Sequence, residues 1–340
     1  MSLIQPAVVN SLGAVDQWMK TVSANISGSV VNGYRGTEVQ FGDVLDSIVQ
    51  GPIKATNGFG SVDPVEQSNS GIRVEGTTTD FSQGSITQTT EPTNLAINGD
   101  GFFVLSKSPV PADMSDLVFT RDGNFHFEFL NGPVAGSGTW RLVNQDGYFV
   151  QGWNTPITAA NPQQNPPLEG EGTDLNAFDV ASPNTAGQPA VNTQMQNIQL
   201  DMVRNPNASN NWTFDQTGFL QVNNDMPRDL ANNPANMYVS IAKFANPQAL
   251  ERVNGGPYFT YNTVAGEIFA GTAGNPNNNN GATPVVGSSN TLTASALENS
   301  NTSINTVMPE LTLAQKTFSA TTKIMSVANG MIDDVNQLVK

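Results

Sequence analysis

Residues 304–339 read INTVMPELTLAQKTFSATTKIMSVANGMIDDVNQLV. Within them Ile304, Val307, Leu311, Ala314, Phe318, Thr321, Met325, Ala328, Ile332, Val335 and Val339 follow one another at alternating spacings of three and four. Side chains so spaced share one helix face, and a repeat sustained over about five heptads is a coiled-coil seam. Thr321 is the one seam position that is not apolar. A helix of roughly 35 residues is about 50 Å long. Pro309 interrupts the pattern and is expected either in the first helical turn or at a kink. Met308, Val327, Met331 and Leu338 widen the apolar surface beyond one seam, which points to more than one neighbour.

The beginning of the chain mirrors its far end. Ile4, Val8, Leu12, Val15, Met19, Val22 and Ile26 recur at the same spacings, so a second amphipathic helix is predicted there. Pro6 falls in its first turn, where a missing N–H costs little. The string Gly28–Gly36, GSVVNGYRG, ends it. A single such helix ordinarily packs on its own domain's core. Two of them flanking a long middle of different character are most simply buried against each other, and then against other copies of the chain. The seam residues Leu12, Val15, Met19, Val22, Ile26, Leu311, Phe318, Met325, Ile332 and Val335 are the candidate self-assembly positions.

The middle reads as β structure. Alternating runs at Gly71–Glu75, Gly101–Leu105, Tyr148–Gly152 and Tyr238–Phe244 are bounded by the turn dipeptides Asn98-Gly99, Asp100-Gly101, Asp122-Gly123 and Asp146-Gly147. Residues 154–211 are rich in Pro, Asn, Gln and Thr and are expected to form an outer insertion. Residues 271–290 read as a flexible connector. The fold class expected is mainly β with long terminal α-helices, in discontinuous domains. Residues 1–32 and 300–340 form the helical domain, the two helices pairing as a coiled coil. Residues 33–75 and 271–299 connect it to a β-rich domain of 76–153 and 212–270.

Composition removes several function classes. Of 340 residues only 14 are Lys or Arg, and the net charge is −15. Nucleic-acid binding needs a cationic face, and so does an anionic membrane surface. There is no cysteine, which excludes disulfides, thiolate catalysis and Cys-ligated zinc. No apolar run is long enough for a transmembrane helix, and no basic region followed by a compact apolar stretch marks a cleaved secretory signal. The only histidine, His126, lies in the alternating run FHFEF and is expected to face solvent from a strand rather than to act as a base with Asp122 or Glu128. Asp333 and Asp334 are adjacent on a helix and point about 100° apart, as a solvated face would. Asn98–Gly101 lacks the alternating acids of a calcium loop. No catalytic residue, cofactor site or metal site is predicted.

The string Asp80–Leu105, DFSQGSITQTTEPTNLAINGDGFFVL, resembles a signature of the bacterial flagellar hook and rod axial family, a DFSQG-like start followed by an LAI-x-G-x-GFF-like run. Phe119–Phe125 (FTRDGNF), Asp146–Trp153 (DGYFVQGW), Ala242–Leu250 (AKFANPQAL), Leu297–Asn301 (LENSN) and Gln315–Phe318 (QKTF) resemble further family strings in the same order. Each Gly-centred string also works as a turn between strands, with Phe102, Phe103, Phe119, Phe125 and Phe149 as packing aromatics. The resemblance implies a structural subunit that self-assembles into a helical tube and transmits torque from motor to filament. Its partners would be further copies of itself, adjacent rod, hook or hook-junction proteins, the flagellar export apparatus and the hook cap. It would reside in the hook or basal body and be exported without a cleaved signal. The hook reading is favoured over the distal rod. An appendage-associated binding protein that reuses the fold and a wall hydrolase are the rival classes, and the sequence offers the latter no acid–base pair.

Overall fold

A computed structural model describes residues 4–43, 47–50, 66–68, 71–109, 111, 114–131, 138–156, 195–201, 211–222, 235–253, 255–265, 268–271 and 290–338. The chain divides into two units. One comprises residues 1–27, 36–80 and 302–340; the other comprises 28–35 and 81–301. Most described elements are strands, with one helix at each end of the chain.

In the first unit helix α1 spans Ile4–Gly28. Val8, Val15 and Val22 are buried, and Leu12, Met19 and Ile26 are half-buried, so the face predicted from spacing is covered. The flank of that face, about a sixth of a turn round the helix from Val8, Val15 and Val22, carries Ser11, Trp18 and Asn25 at heptad intervals. This flank fastens to an antiparallel pair of strands, Thr37–Asp43 and Ile72–Thr79. Ser11 Oγ accepts the Ile72 N–H at 3.3 Å, Trp18 meets Phe41 edge-on with ring centroids 5.7 Å apart, and Asn25 binds the Thr37 backbone. Residues expected to be connector therefore form a paired β element. A second short pair joins Ser47–Gln50 to Glu66–Ser68.

Helix α2 spans Ile304–Leu338, 35 residues as the heptad pattern predicts. Ser303 caps it: its Oγ accepts the Asn305 N–H and its carbonyl accepts the Val307 N–H. Pro309 lies inside the helix in its second turn, not in the first turn that would best tolerate it, and helical structure continues through it. Its ring removes the donor that the Asn305 carbonyl would otherwise use. Thr321, the polar residue in the seam, donates its hydroxyl to the Thr317 carbonyl at 2.9 Å, so no bare hydroxyl is presented at that half-buried position.

The second unit is built on a large antiparallel sheet. One path through it runs in the order Gln199–Asp201, Gly138–Asn144, Phe149–Pro156, Phe102–Ser106, Leu117–Thr120, Tyr258–Thr260 and Glu251–Val253. Strands Phe102–Ser106 and Leu117–Thr120 are buried along their whole length. Alternate side chains enter opposite layers: Phe103, Leu105 and Val118 join one apolar cluster with Phe125, Leu142 and Val239, while Phe102, Val104, Leu117 and Phe119 join another with Leu250 and Phe259. Two-sided burial is why these strands read as near-continuous apolar runs. The strands Met195–Asn197 and Gln199–Asp201, at the end of the segment expected as an outer insertion, pair into this structure. Residues 157–194 and 202–210 of that segment lie outside the described residues, as do 272–289 of the expected connector.

The predicted turns hold the sheet's ends. Gly99 and Gly101 have φ of +116° and +121°, a region that L side chains rarely adopt. Gly123 is needed for a close approach instead, since a Cβ there would stand 1.6 Å from the Leu95 carbonyl oxygen. The late strands Thr291–Ala294 and Ala296–Glu298, expected as connector, pair with Leu95–Asn98 and Ile86–Gln88 respectively.

Candidate assembly surface and buried charge cluster

Helix α2 presents two apolar stripes of different fate. In the predicted seam Val307, Ala314 and Ala328 are buried, and Leu311, Phe318, Thr321, Met325 and Ile332 are half-buried. Coverage ends before Val335, which is 57% exposed. Roughly a third of a turn away, Leu313, Ile324, Val327, Met331 and Leu338 are also exposed. With the exposed Ala320 these follow a second heptad register, 313–320–324–327–331–338. Soluble monomers rarely leave a contiguous apolar face of this extent open to water, and a face of this kind marks an interaction surface. Sequence spacing had located the seam and named Val327, Met331 and Leu338 as extra apolar surface. Leu313, Ala320 and Ile324 complete the stripe, and its 3–4 spacing was the signal that identifies them.

In the β unit the notable electrostatic feature is a buried carboxylate held between two buried guanidiniums. Glu298 is 0% exposed, as is Arg35, and Arg121 is buried too. Glu298 Oε1 accepts from Arg35 Nη2 at 2.6 Å and from the Gly84 N–H at 2.7 Å; Oε2 accepts from Arg121 Nη1 at 3.2 Å. Arg121 also donates to the carbonyls of Gly99 at 2.6 Å and Ile97 at 3.4 Å. Burial lowers the Arg121 pKa to about 10, Glu298 opposes the shift, and Arg35 adds to it. Two cations converge on this one anion, and among the described residues Arg35 Nε and Nη1 and Arg121 Nε have no hydrogen-bond partner. The Arg35 carbonyl is held from the other side by Arg252, whose guanidinium lies 4.6 Å from the Tyr34 ring centroid. Sequence reading had noted these residues only as members of the strings GYR, TRDG and LENSN. In a chain with so few basic residues, an arginine inside each of two Gly-rich turn strings was the available signal.

The residues weighed for chemistry do not converge. His126 is exposed on strand Phe125–Asn131, as predicted, and faces Val143 in register on the neighbouring strand. Asp333 and Asp334 are exposed on α2. Among the described residues no group of three or more His, Asp or Glu is placed to hold a metal ion. Among the described residues Asp122 is the one carboxylate pushed clearly upward, to about 6, chiefly by burial and partly by the nearby Asp146. Asp146 in turn accepts the Tyr258 hydroxyl, which also accepts the Asn144 side-chain amide at 2.8 Å. These groups tie the turn at 145–148 to strand Tyr258–Thr260.

Residues 293–338 match the family model described as flagellar basal body rod FlgEFG protein C-terminal. The match covers the end of strand Thr291–Ala294, strand Ala296–Glu298 and the whole of α2. The chain is 37% identical over 134 residues to the flagellar hook protein FlgE of Helicobacter mustelae, covering 38% of this chain and 26% of that protein. It is 32% identical over 207 residues to FlgE of Helicobacter pylori, covering 59% of this chain and 24% of that one. It is 27% identical over 133 residues to the flagellar basal-body rod protein FlgG of Buchnera aphidicola, covering 39% and 46%. The matched stretches thus span about a quarter of the hook proteins and under half of the rod protein.

Proposed function

We propose that this chain, a relative of the bacterial flagellar hook and rod proteins, is a structural subunit that joins many copies of itself into a helical tube, with no catalytic role. The observation that carries this reading is the exposed second stripe of α2, Leu313, Ile324, Val327, Met331 and Leu338. From Val307 to Ile332 the seam on the same helix is already buried or half-buried in the single chain, so the second stripe is the face left for another copy.

Within the chain, α1 and α2 would pair through their seams. Thr302 Oγ1 donates to the Asn25 carbonyl at 3.3 Å, which brings the start of α2 beside the end of α1, as antiparallel pairing requires. The helices would line the tube, the β unit would form its wall, and residues 154–211 the outer surface. Contacts between such tightly seamed helices would carry torque from motor to filament. Partners would be neighbouring rod, hook or junction proteins, the hook cap and the export apparatus. Among the described residues no helix is long and apolar enough to cross a membrane.

Sedimentation of the purified chain tests the assembly surface. Wild type is expected to form large species as concentration rises, and Ile324→Asp/Met331→Asp to remain monomeric with its helical content intact. Equal polymerisation of the double variant would overturn the reading. Hook rather than distal rod is the finer assignment, favoured by the strings Gly33–Arg35 and Phe41–Leu45 and by the length of the middle. Electron microscopy of cells lacking the gene separates the two: basal bodies that end at a complete rod mark a hook protein, and loss of the distal rod marks a rod protein.

A further inference from the structure

The β unit is closed by residues far downstream of its sheet. Residues 290–301 zip onto earlier segments at every step. Thr291–Ala294 pairs with Leu95–Asn98, whose Leu95, Ala96 and Ile97 are fully buried, and Leu292 enters the main apolar cluster. Ala296–Glu298 pairs with Ile86–Gln88. The Asn299 N–H reaches the Ser85 carbonyl at 2.9 Å, the Glu298 carbonyl accepts the Gly33 N–H at 2.7 Å, and the Asn301 N–H reaches the Tyr34 carbonyl at 3.2 Å. Asn290 clamps the other end, its Oδ1 accepting the Asp100 N–H at 3.1 Å.

Glu298 gives this closure an all-or-none character. It is the anion on which both Arg35 and Arg121 converge. With the carboxylate absent, both guanidiniums would have to be buried without it and the Gly84 N–H would lose its acceptor. Removing one partner of a buried ion pair is among the most destabilising changes a fold can suffer, because the remaining charge cannot recover its hydration. Here a single removal strands two charges of the same sign.

We propose that residues 290–301 are a latch with Glu298 as its bolt: the β unit holds no stable fold until this carboxylate reaches Arg35 and Arg121. The sheet strands between residues 81 and 271 therefore wait for the last residues of their own unit, and a chain still being made remains unfolded across that span. The Arg35 side of the latch lies just beyond α1 and the Glu298 side just before α2, so closing it also draws together the two points from which the terminal helices depart.

Refolding kinetics of the full chain test this, followed by Trp140, Trp153 and Trp212 fluorescence in a Trp18→Phe background. If the bolt gates folding, Glu298→Gln slows refolding by nearly the whole factor lost in the folding equilibrium, about a hundred-fold or more. Should that variant fail to fold, Glu298→Asp keeps the charge on a shorter stem that does not span all three donors, and its refolding is expected to slow about ten-fold. Arg35→Met added to Glu298→Gln is expected to recover part of the loss, because one buried cation fewer is left stranded. Refolding of Glu298→Asp at the wild-type rate, with its whole loss in faster unfolding, would show that the carboxylate docks after the fold is made and would overturn the latch. Absence of any recovery in the Arg35→Met/Glu298→Gln double variant would overturn the charge argument on which it rests.

Discussion

Asn25 and Thr37 hold each other through both polar atoms of the asparagine amide: Nδ2 donates to the Thr37 carbonyl at 2.7 Å, and Oδ1 accepts the Thr37 N–H at 3.0 Å. The bond pair spans the turn after α1 and fixes where strand Thr37–Asp43 starts. Asn25 is itself buried, so its replacement removes both of these hydrogen bonds from a water-poor site. Asn25→Ala is expected to destabilise the helical unit by about 2 kcal/mol. Protection of the Thr37 amide in hydrogen exchange should fall, while that of the Phe103 amide in the β unit stays unchanged.

Asp122 should make the β unit respond to pH in the sense opposite to a salt-bridged carboxylate. Its pKa in the fold is raised to about 6 from 3.8. The folded state therefore binds a proton more readily than the unfolded chain. Stability declines as pH rises from 4 through 6, and the ionised group is a liability at pH 7. Asp122→Asn keeps an oxygen to accept the Asn124 N–H at that position. It is expected to stabilise the protein by about 1–2 kcal/mol at pH 7 and by almost nothing at pH 4. Urea midpoints of both proteins across that range would show a narrowing gap as pH falls.

Pro309 is a built-in weakness of α2. A proline within a helix costs about 3 kcal/mol, because one hydrogen bond is lost and the ring crowds the preceding turn. Its place in the second turn, one turn past the Ser303 cap, limits this. Pro309→Ala is expected to stabilise the helical unit by roughly 1–2 kcal/mol, read as a higher midpoint for loss of helical circular dichroism. No gain would mean that the first turn of α2 is not part of the cooperative unit.

Among the described glycines, Gly123 is the one least able to accept a side chain. An added Cβ would stand 1.6 Å from the Leu95 oxygen and 3.2 Å from the Phe103 ring. The Leu95 N–H is bonded to the Gly123 carbonyl at 3.0 Å, so the turn and the strand beside it are not free to part. Gly123→Ala is expected to cost about 3 kcal/mol. The companion Gly147→Ala meets no atom within 4 Å, although φ is +81° there, and should cost only about 1 kcal/mol. Thermal unfolding of both variants compares close approach with backbone conformation alone.

Periodicity by itself settled the helices. Spacings of three and four put Val8, Val15 and Val22 on one line, and Val307, Ala314 and Ala328 on another, because helix geometry is local and repeats every few residues. Alternation and Gly-centred turns likewise placed the strands around Phe102 and Phe149. The strands at 37–43 and 291–298 were read as connector, since short polar runs such as TEVQFGD and TLTA carry no strong alternation. They become strands because Ile72–Thr79 and Leu95–Asn98 present them with unpaired edges. Only the tertiary structure decided that Glu298 would be buried: Arg35 lies 263 residues from it and Arg121 lies 177 away. An isolated glutamate in a polar string looks solvated, and its role as counter-charge exists only once the fold has carried both guanidiniums out of water.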